Sequence, residues 1–599
     1  MSDRHLFPSL SGLVPKSLRG LITFSPRLRL DEANKVVYDP SHPRSTVSII
    51  SGGGSGHEPA WSGYVGTNML AAAVQGDVFA SPSTRQVLAA VDAVPSDVGT
   101  LLVITNYTGD RLHFGLAVEK TKAAGKACRL LSCGDDVSIG KQGGRSLVGR
   151  RGLAAQIAVL KLLGAAAAKG ASLEELHAFG TAINAQIVSI AATLDHCHVP
   201  GRPAETTLGP NELEIGTGPH NEPGYRKLSP APSAAELVRE LLRYCLDETD
   251  PDRGYVHFGP GDETALVVSN FGGLSNLELG ALVDELLGQL KEDWKIEPQR
   301  VYAGHLETSL NAPAFSISVI NLSGIAADPT SGYTLEQIKE FFDVRTDTAW
   351  EAVAGSQAEL GARVRGPRSE QVVQAPPVVK ENKVIDESRD IRVDPVLLER
   401  MVRGACEALI AAEPDLTRWD AAMGDGDCGL TLETGARAVL EALATKGIAA
   451  RGSVVEVLTE LEEVLETKMG GTLGGIMGIF FVALRSALEE NRSQSDSAAA
   501  CWAKSLPTAL THLEQYTPAK VGHRTVMDTL IPFAEAMRDT QSFEKAVEAA
   551  VAGAEATKKM KPRLGRATYV GVSDGETELP PDPGAWGAMV AIKGLFAGM

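Results

Sequence analysis

The sequence predicts a two-lobed α/β unit, a linker and an all-α domain. Three observations carry that reading. Over residues 1–195, short apolar runs ending in Gly and Asp turns alternate with helical stretches, the sign of a largely parallel α/β sheet. Over 196–354 the alternation resumes around a second glycine-rich segment, giving a second α/β lobe. Beyond Asp394 strand-like segments vanish and helical periodicity dominates over 393–599. A chain of 599 residues is also too long for one hydrophobic core.

The first lobe is organised around residues 51–59, Ser-Gly-Gly-Gly-Ser-Gly-His-Glu-Pro. The apolar run Val47, Ile49, Ile50 reads as a short buried strand ending in a turn. Gly53, Gly54, Ser55 and Gly56 carry little or no side chain, so the backbone there can approach a ligand closely. His57 follows where the strand ends, the place where open α/β sheets hold ligands. The glycines match neither a P-loop, which needs Lys-Ser/Thr after them, nor a dinucleotide fingerprint, whose third glycine is replaced by His57. A strand at 100–104 leads to Asn-Tyr-Thr-Gly-Asp (106–110), and one at 128–131 leads to Gly134-Asp135-Asp136. An Ala/Leu-rich helix spans 151–168.

In the second lobe, residues 214–224 place glycines and prolines around His220. A helix (234–246), strands (264–268 and 315–321) and a helix (334–343) follow. Residues 355–392 lack a period and carry scattered prolines, as a semi-extended linker does. Helices are expected over 396–412, 431–444, 454–468, 475–490, 498–516, 526–538 and 543–559.

Composition narrows the partners. A formal net charge of -18 argues against nucleic acid or an anionic membrane surface, both of which need basic patches. Seven scattered cysteines without a C-x-x-C pair suit free thiols in a reducing compartment. No leader-like start and no run of about 18 apolar residues is evident, so a cytoplasmic location is expected.

The helical domain carries the sharper chemistry. Asp420, Asp425 and Asp427 stand at i, i+5 and i+7, framed by Gly424, Gly426 and Gly429. Clustered carboxylates repel without a hard cation, and oxygen ligation suits Mg²⁺ or Ca²⁺. Lys468-Met-Gly-Gly-Thr-Leu-Gly-Gly opens a helix, where free N–H groups and the positive dipole end favour phosphate. Polar turns at 522–528, 565–569 and 582–585 interrupt later helices. A carboxylate-held cation, phosphate-cradling glycines and an arginine are the parts phosphoryl transfer needs.

Taken in order, Gly-Gly-Gly-Ser-Gly-His-Glu-Pro, Asn-Tyr-Thr-Gly-Asp, Gly-Asp-Asp and His220-Asn-Glu-Pro-Gly resemble the substrate half of dihydroxyacetone (glycerone) kinases. Gly-Asp-Gly-Asp-Cys-Gly, Met-Gly-Gly-Thr, Gly-Arg-Ala-Thr-Tyr and Asp-Pro-Gly-Ala resemble their nucleotide half. The resemblance covers nearly the whole chain and is to the ATP-dependent, single-chain form. It implies phosphorylation of dihydroxyacetone, and of glyceraldehyde, with ATP and Mg²⁺ as cofactors.

In that family a histidine matching His220 tethers the ketone carbonyl as a hemiaminal, and Asp110 and His57 act on the substrate hydroxyl. Gly53 to Gly56 and Thr105 match substrate contacts. Asp420, Asp425 and Asp427 match the Mg²⁺ ligands. Cys428, Gly429, Leu430, Thr431, Gly471, Thr472, Leu473, Gly522, Arg524, Thr525, Met527, Arg566, Asp582, Pro583 and Gly584 match nucleotide contacts. The resemblance further implies a homodimer and a helical barrel around the nucleotide.

Some positions depart from the family pattern. Thr105 stands where a lysine is usual, Trp61 where a histidine is, and Thr217 and Pro219 replace more apolar residues beside His220. Leu473 replaces a common serine. A larger ketose such as erythrulose is therefore a second substrate to weigh. Other classes are an FAD-AMP lyase forming cyclic FMN at the same nucleotide site, and a non-catalytic ketose sensor.

Overall fold

The computed structural model describes residues 4–141, 149–202, 208–354, 386–424, 426–492, 497–564, 567 and 579–599. The chain divides into two compact units, Met1–Gln374 and Ala375–Met599.

The first unit opens with helix α1 (Leu13–Phe24) and strands β1 (Arg29–Asp31), β2 (Val36–Tyr38), β3 (Ser48–Ser55) and β4 (Ala72–Val78). Helix α2 (Thr84–Ala93), β5 (Thr100–Thr105), α3 (Thr108–Ala123) and β6 (Cys128–Cys133) follow. The sheet order is β1-β2-β4-β3-β5-β6. β4, β3, β5 and β6 run parallel, while β2 joins antiparallel to β1 and β4. Parallel neighbours need crossovers, which α2 and α3 supply. Ser83 and Gln86 start α2 by capping each other's backbone N–H groups.

Two helices, α4 (Ala155–Ala168) and α5 (Leu173–Ala185), lead into β7 (Ile187–Thr193). Then come β8 (Leu213–Ile215), β9 (Arg226–Leu228), α6 (Ala234–Leu246), β10 (Thr264–Asn270), α7 (Asn276–Trp294), β11 (Arg300–Gly304) and β12 (Ala314–Asn321). Three helices close the unit, α8 (Leu322–Ala327), α9 (Leu335–Asp343) and α10 (Trp350–Ala354). The second sheet has the order β11-β10-β12-β7-β8-β9. Only β10 and β11 pair in parallel; every other pair is antiparallel. β7 precedes residue 195, the limit read for the first lobe, yet it belongs to the second sheet.

The sequence of α4 explains why the two lobes form one body. Nearly every residue of this helix is buried, with apolar side chains on all faces, so it needs apolar partners all round. One core cluster joins it to Ile49, Val103 and Leu131 of the first sheet and to Val267, Tyr302 and Ile320 of the second.

The second unit is all-α, as read. Its helices are α11 (Pro395–Met423), α12 (Cys428–Thr445), α13 (Val454–Lys468), α14 (Gly471–Asn491), α15 (Ala498–Leu513), α16 (Met527–Thr540), α17 (Phe543–Ala556) and α18 (Pro583–Ala597). Each packs on the next, and α18 packs on α11, closing a ring. α14 is the one described helix long and apolar enough to cross a membrane by length and composition. Within the unit its Arg485 pairs with Glu462 of α13 at 2.6 Å.

Three helical readings are corrected. α11 does not stop at 412: it continues through Pro414 to Met423. α14 begins at Gly471 and not at 475, so the glycine run that opens it forms its first turn. α18 was read only as a polar turn; Asp582 caps it by accepting the Ala585 N–H at 2.8 Å.

Candidate active site

The glycine run is strand and not turn. β3 continues through Ser55 with every residue buried. A Cβ on Gly53 would overlap the indole of Trp61, and one on Gly52 would overlap the Val74 carbonyl. The small residues thus make room for the protein's own neighbours as well. Only Gly56, at φ +100°, needs glycine for its backbone angle.

His57 follows at 1% exposure. Its Nδ1 is 2.7 Å from the Thr308 carbonyl, which fixes the ring and turns Nε2 away. That Nε2 lies 3.1 Å from Nε2 of His220. Burial, and then His220, push the pKa of His57 down to about 3, so it is neutral.

His220 sits on the turn between β8 and β9. Glu222 accepts its backbone N–H at 2.8 Å and holds Nδ1 at 3.1 Å. Burial alone would raise the Glu222 carboxyl, but His220 and Arg151 outweigh it and hold the pKa at about 2. The His220 ring also meets Phe79 and Tyr107 edge-on, with centroids 5.2 and 4.9 Å away.

Asp110 lies in the first turn of α3, where the helix dipole favours a negative charge. It is 5% exposed, and its Oδ1 has no hydrogen-bond partner among the described residues. Burial raises its pKa to about 6 against the opposing pull of a Ser81 hydrogen bond and of His220. A carboxylate that titrates near neutrality, with an unpaired oxygen and with His220 and His113 in electrostatic reach, can accept a proton from a bound hydroxyl.

Not every turn residue contributes. Asp135 accepts from the Ser189 hydroxyl at 2.5 Å and from the Leu153 N–H at 2.6 Å. Asp136 pairs with Arg151 at 2.7 Å. Arg151 also donates to the Gly216 carbonyl at 2.7 Å, tying the His220 segment to the first sheet. These two aspartates stitch the sheets together. Trp61 packs over Gly53 and donates to Gln156 at 3.3 Å. Thr105, 2% exposed, ends β5 against Gly152.

In the second unit the predicted nucleotide residues fall at helix starts. Asp420 lies on the last turn of α11, and its Oδ2 accepts the Cys428 N–H at 3.0 Å. Asp427 is the N-cap residue of α12, whose first turn carries Cys428, Gly429, Leu430 and Thr431. Gly471, Thr472 and Leu473 form the first turn of α14, which has no side-chain cap. Asp425 and Arg566 lie outside the described residues.

The loop from Gly522 is held by Asp528, which is fully buried and accepts the N–H groups of Gly522 at 2.5 Å and Thr525 at 2.7 Å. Arg524 is 1% exposed and donates to the Pro580 carbonyl at 2.7 Å, while its Nε and Nη1 have no partner among the described residues. Met527 starts α16, fully buried, and Thr529 donates to the Ala585 carbonyl at 2.8 Å, so this loop adjoins Asp582, Pro583 and Gly584. Burial raises Asp582 to about 6, and Asp528 and Asp420 add to the rise. Carboxylates of three segments therefore share one electrostatic neighbourhood. Among the described residues no three His, Cys, Asp or Glu side chains converge tightly enough to form a metal cage.

Sequence reasoning missed the groups that hold the site: Thr308, Glu222, Ser81 and Asp528. Glu222 had a signal, since it follows His220 by two residues as a carboxylate within reach of its ring. The Thr308 carbonyl had none.

The comparisons with known proteins fit this geometry. A Dak1 domain matches residues 19–350 and a DAK2 domain matches 422–597. The chain is 39% identical to a dihydroxyacetone kinase of Pichia angusta, covering 99% of this chain and 98% of the other. It is 32% identical to the human triokinase/FMN cyclase, covering 100% and 99%. Its structure is similar to that of the dihydroxyacetone kinase from C. freundii in complex with AMP-PNP and Mg²⁺, at 28% identity and a TM-score of 0.59 over the whole of both chains.

Proposed function

The chain belongs to the dihydroxyacetone kinase family, and from that premise we propose that it transfers the γ-phosphate of ATP to a hydroxyl of dihydroxyacetone. The observation that carries this is the meeting of His57, His220 and Asp110 from three separate segments.

His220 is the nucleophile toward the ketone. Glu222 holds its Nδ1–H, which leaves Nε2 to attack the carbonyl carbon. The C–N bond forms as the carbonyl π bond breaks, and the new alkoxide takes a proton from solvent. The resulting hemiaminal carries its positive ring charge against the Glu222 carboxylate. Selectivity over glycerol follows, because glycerol has no carbonyl.

Asp110 accepts the proton of the substrate hydroxyl that attacks the γ-phosphate. His57 stays neutral and hydrogen-bonds the substrate. Gly53 to Gly56, with Thr105 nearby, form the wall beside it. The start of α12, the first turn of α14, the 522–527 loop, Arg566 and the start of α18 bind the nucleotide.

Mg²⁺ suits the acidic neighbourhood of Asp420 and Asp582, where burial, Asp528 and Asp420 raise the Asp582 carboxyl. Asp420 and Asp427, with Asp425, would hold the ion, which neutralises charge on the transferring phosphates. A cytoplasmic homodimer belongs to the same reading, and light scattering across micromolar concentrations tests the oligomer.

The deciding experiment measures ADP release from Mg²⁺–ATP with dihydroxyacetone, glyceraldehyde, both erythrulose enantiomers and glycerol. Turnover with dihydroxyacetone and none with glycerol is expected. Turnover restricted to a four-carbon ketose would reassign the substrate, and no turnover with any ketose would overturn the kinase.

A further inference from the structure

Glu307 lies in the segment between β11 and β12, and the proposed mechanism gives it no role. It is 3% exposed, yet its Oε2 has no hydrogen-bond partner. Its neighbours in sequence are firmly used. Thr308 holds His57 through its carbonyl and receives the His57 carbonyl on its own N–H at 3.1 Å. Ser309 donates to the Pro219 carbonyl at 2.6 Å, next to His220. The segment therefore braces both histidines and carries a carboxyl immediately before those two braces.

The other carboxyls nearby are satisfied. Asp135 accepts from Ser189 and Leu153, Asp136 from Arg151, and Glu222 from His220. The exceptions are Asp110 Oδ1 and the Tyr107 hydroxyl beside His220, Thr217 Oγ1 three positions before it, and Glu307 Oε2 in reach of Asp110 and Tyr107, all buried and without a partner among the described residues. Buried polar atoms are rarely left unpaired, and a group of them points to a small ligand rich in oxygen. Glu307 and Asp110 are within electrostatic reach of each other, and Tyr107 feels Glu307 as well.

We propose that Glu307 is a specificity-determining substrate contact, a neutral carboxyl that donates a hydrogen bond to an oxygen of the ketose held between His220 and Asp110. The inference rests on the ketose-kinase reading above. Charge decides the protonation state. The charges Glu307 faces are those of Asp135 after β6 and Asp110 on α3, both negative. The other titratable groups that feel it are Tyr64, Tyr107 and Cys133, none of them a cation. Burial, then Asp135 and Asp110, raise its pKa to about 8. A proton-bearing carboxyl beside an ionised one gives the site both a donor and an acceptor for adjacent oxygens. Above about pH 8 Glu307 ionises, the donor is lost and a negative charge appears beside Asp110.

The test compares the full-length wild type with Glu307→Leu and Glu307→Gln, reading KM for dihydroxyacetone and for ATP across pH 6.5 to 9.5. Glu307→Leu should raise KM for the ketose about 10- to 100-fold, with KM for ATP unchanged. Glu307→Gln keeps a donor and cannot ionise, so its ketose KM should rise by only about 3-fold and lose the alkaline rise that the wild type shows. A merely structural role would lower the thermal midpoint and leave both KM values alone. A leucine variant with wild-type ketose KM, or a glutamine variant with the wild-type pH profile, would overturn the inference and leave the kinase standing. A wild type that phosphorylates no ketose would overturn both.

Discussion

Nε2 of His57 and Nε2 of His220 face each other across 3.1 Å, each ring turned by an acceptor on its Nδ1. His57, pushed down to about 3, is neutral. The two rings are thus one unit, set by the Thr308 carbonyl on one side and Glu222 on the other.

Asp110 acts as a base only when ionised. The value of kcat/KM for the ketone should therefore fall as pH drops through about 6. The raised pKa means the fold favours the protonated form, so ionisation between the ordinary 3.8 and about 6 costs stability at higher pH. Asp110→Asn should raise the thermal midpoint at pH 7.5 while cutting turnover by about 10²- to 10⁴-fold. Calorimetry and ADP release on the same sample check both. Full turnover in this variant would remove Asp110 from the mechanism.

Glu222→Gln keeps the shape but loses the charge that orients His220. Its kcat/KM for dihydroxyacetone should fall about 10- to 100-fold with KM for ATP unchanged. Glu222 is lowered from 4.5 to about 2, so its stabilising contribution is complete above pH 4.5 and lost as pH falls toward 2. An acid-unfolding curve for the variant should be flatter across that window. Wild-type kinetics in the variant would show that His220 needs no orienting carboxylate.

Gly53→Ala pushes a methyl into the Trp61 ring. A loss of about 1 to 3 kcal/mol is expected, the usual result of overpacking. Trp61→Phe should relieve it, so the double variant should be more stable than the sum of the single changes. Denaturant melts of the four proteins give the coupling; strict additivity would place the crowding elsewhere.

Asp528 is the anchor of the 522–527 loop. Asp528→Ala leaves the Gly522 and Thr525 N–H groups without their acceptor and should cost about 1 to 3 kcal/mol. KM for ATP should rise while ketone affinity, measured by calorimetry without nucleotide, stays put. Unchanged ATP kinetics would detach this loop from the nucleotide.

Much of this was legible in the sequence because it rests on local pattern. Alternating apolar runs gave the α/β unit, helical periodicity gave the second, and His57, His220 and Asp110 stood in motifs spaced along strand ends. What escaped depends on distant backbone. The Thr308 carbonyl has no side-chain signature, and the strand pairing that brings it to His57 is non-local. α18 was hidden because Pro583-Gly584 reads as a breaker, although proline is well placed in a first helical turn. α11 outran its reading because Pro414 suggests an end, yet here it lies within the helix.

The bond from His57 to Thr308 spans 251 positions of chain, and that separation has a consequence for biosynthesis. A ribosome finishes the glycine-rich strand long before it makes the group that fixes His57. The partial chain can hold a first sheet but no oriented histidine pair. Contacts of such long range are slow to close. Competence to capture a ketone thus arrives late, with the docking of β12 beside β7. Trapping of the small molecule could serve as a clock for completion of the whole first unit, read on stalled chains of increasing length.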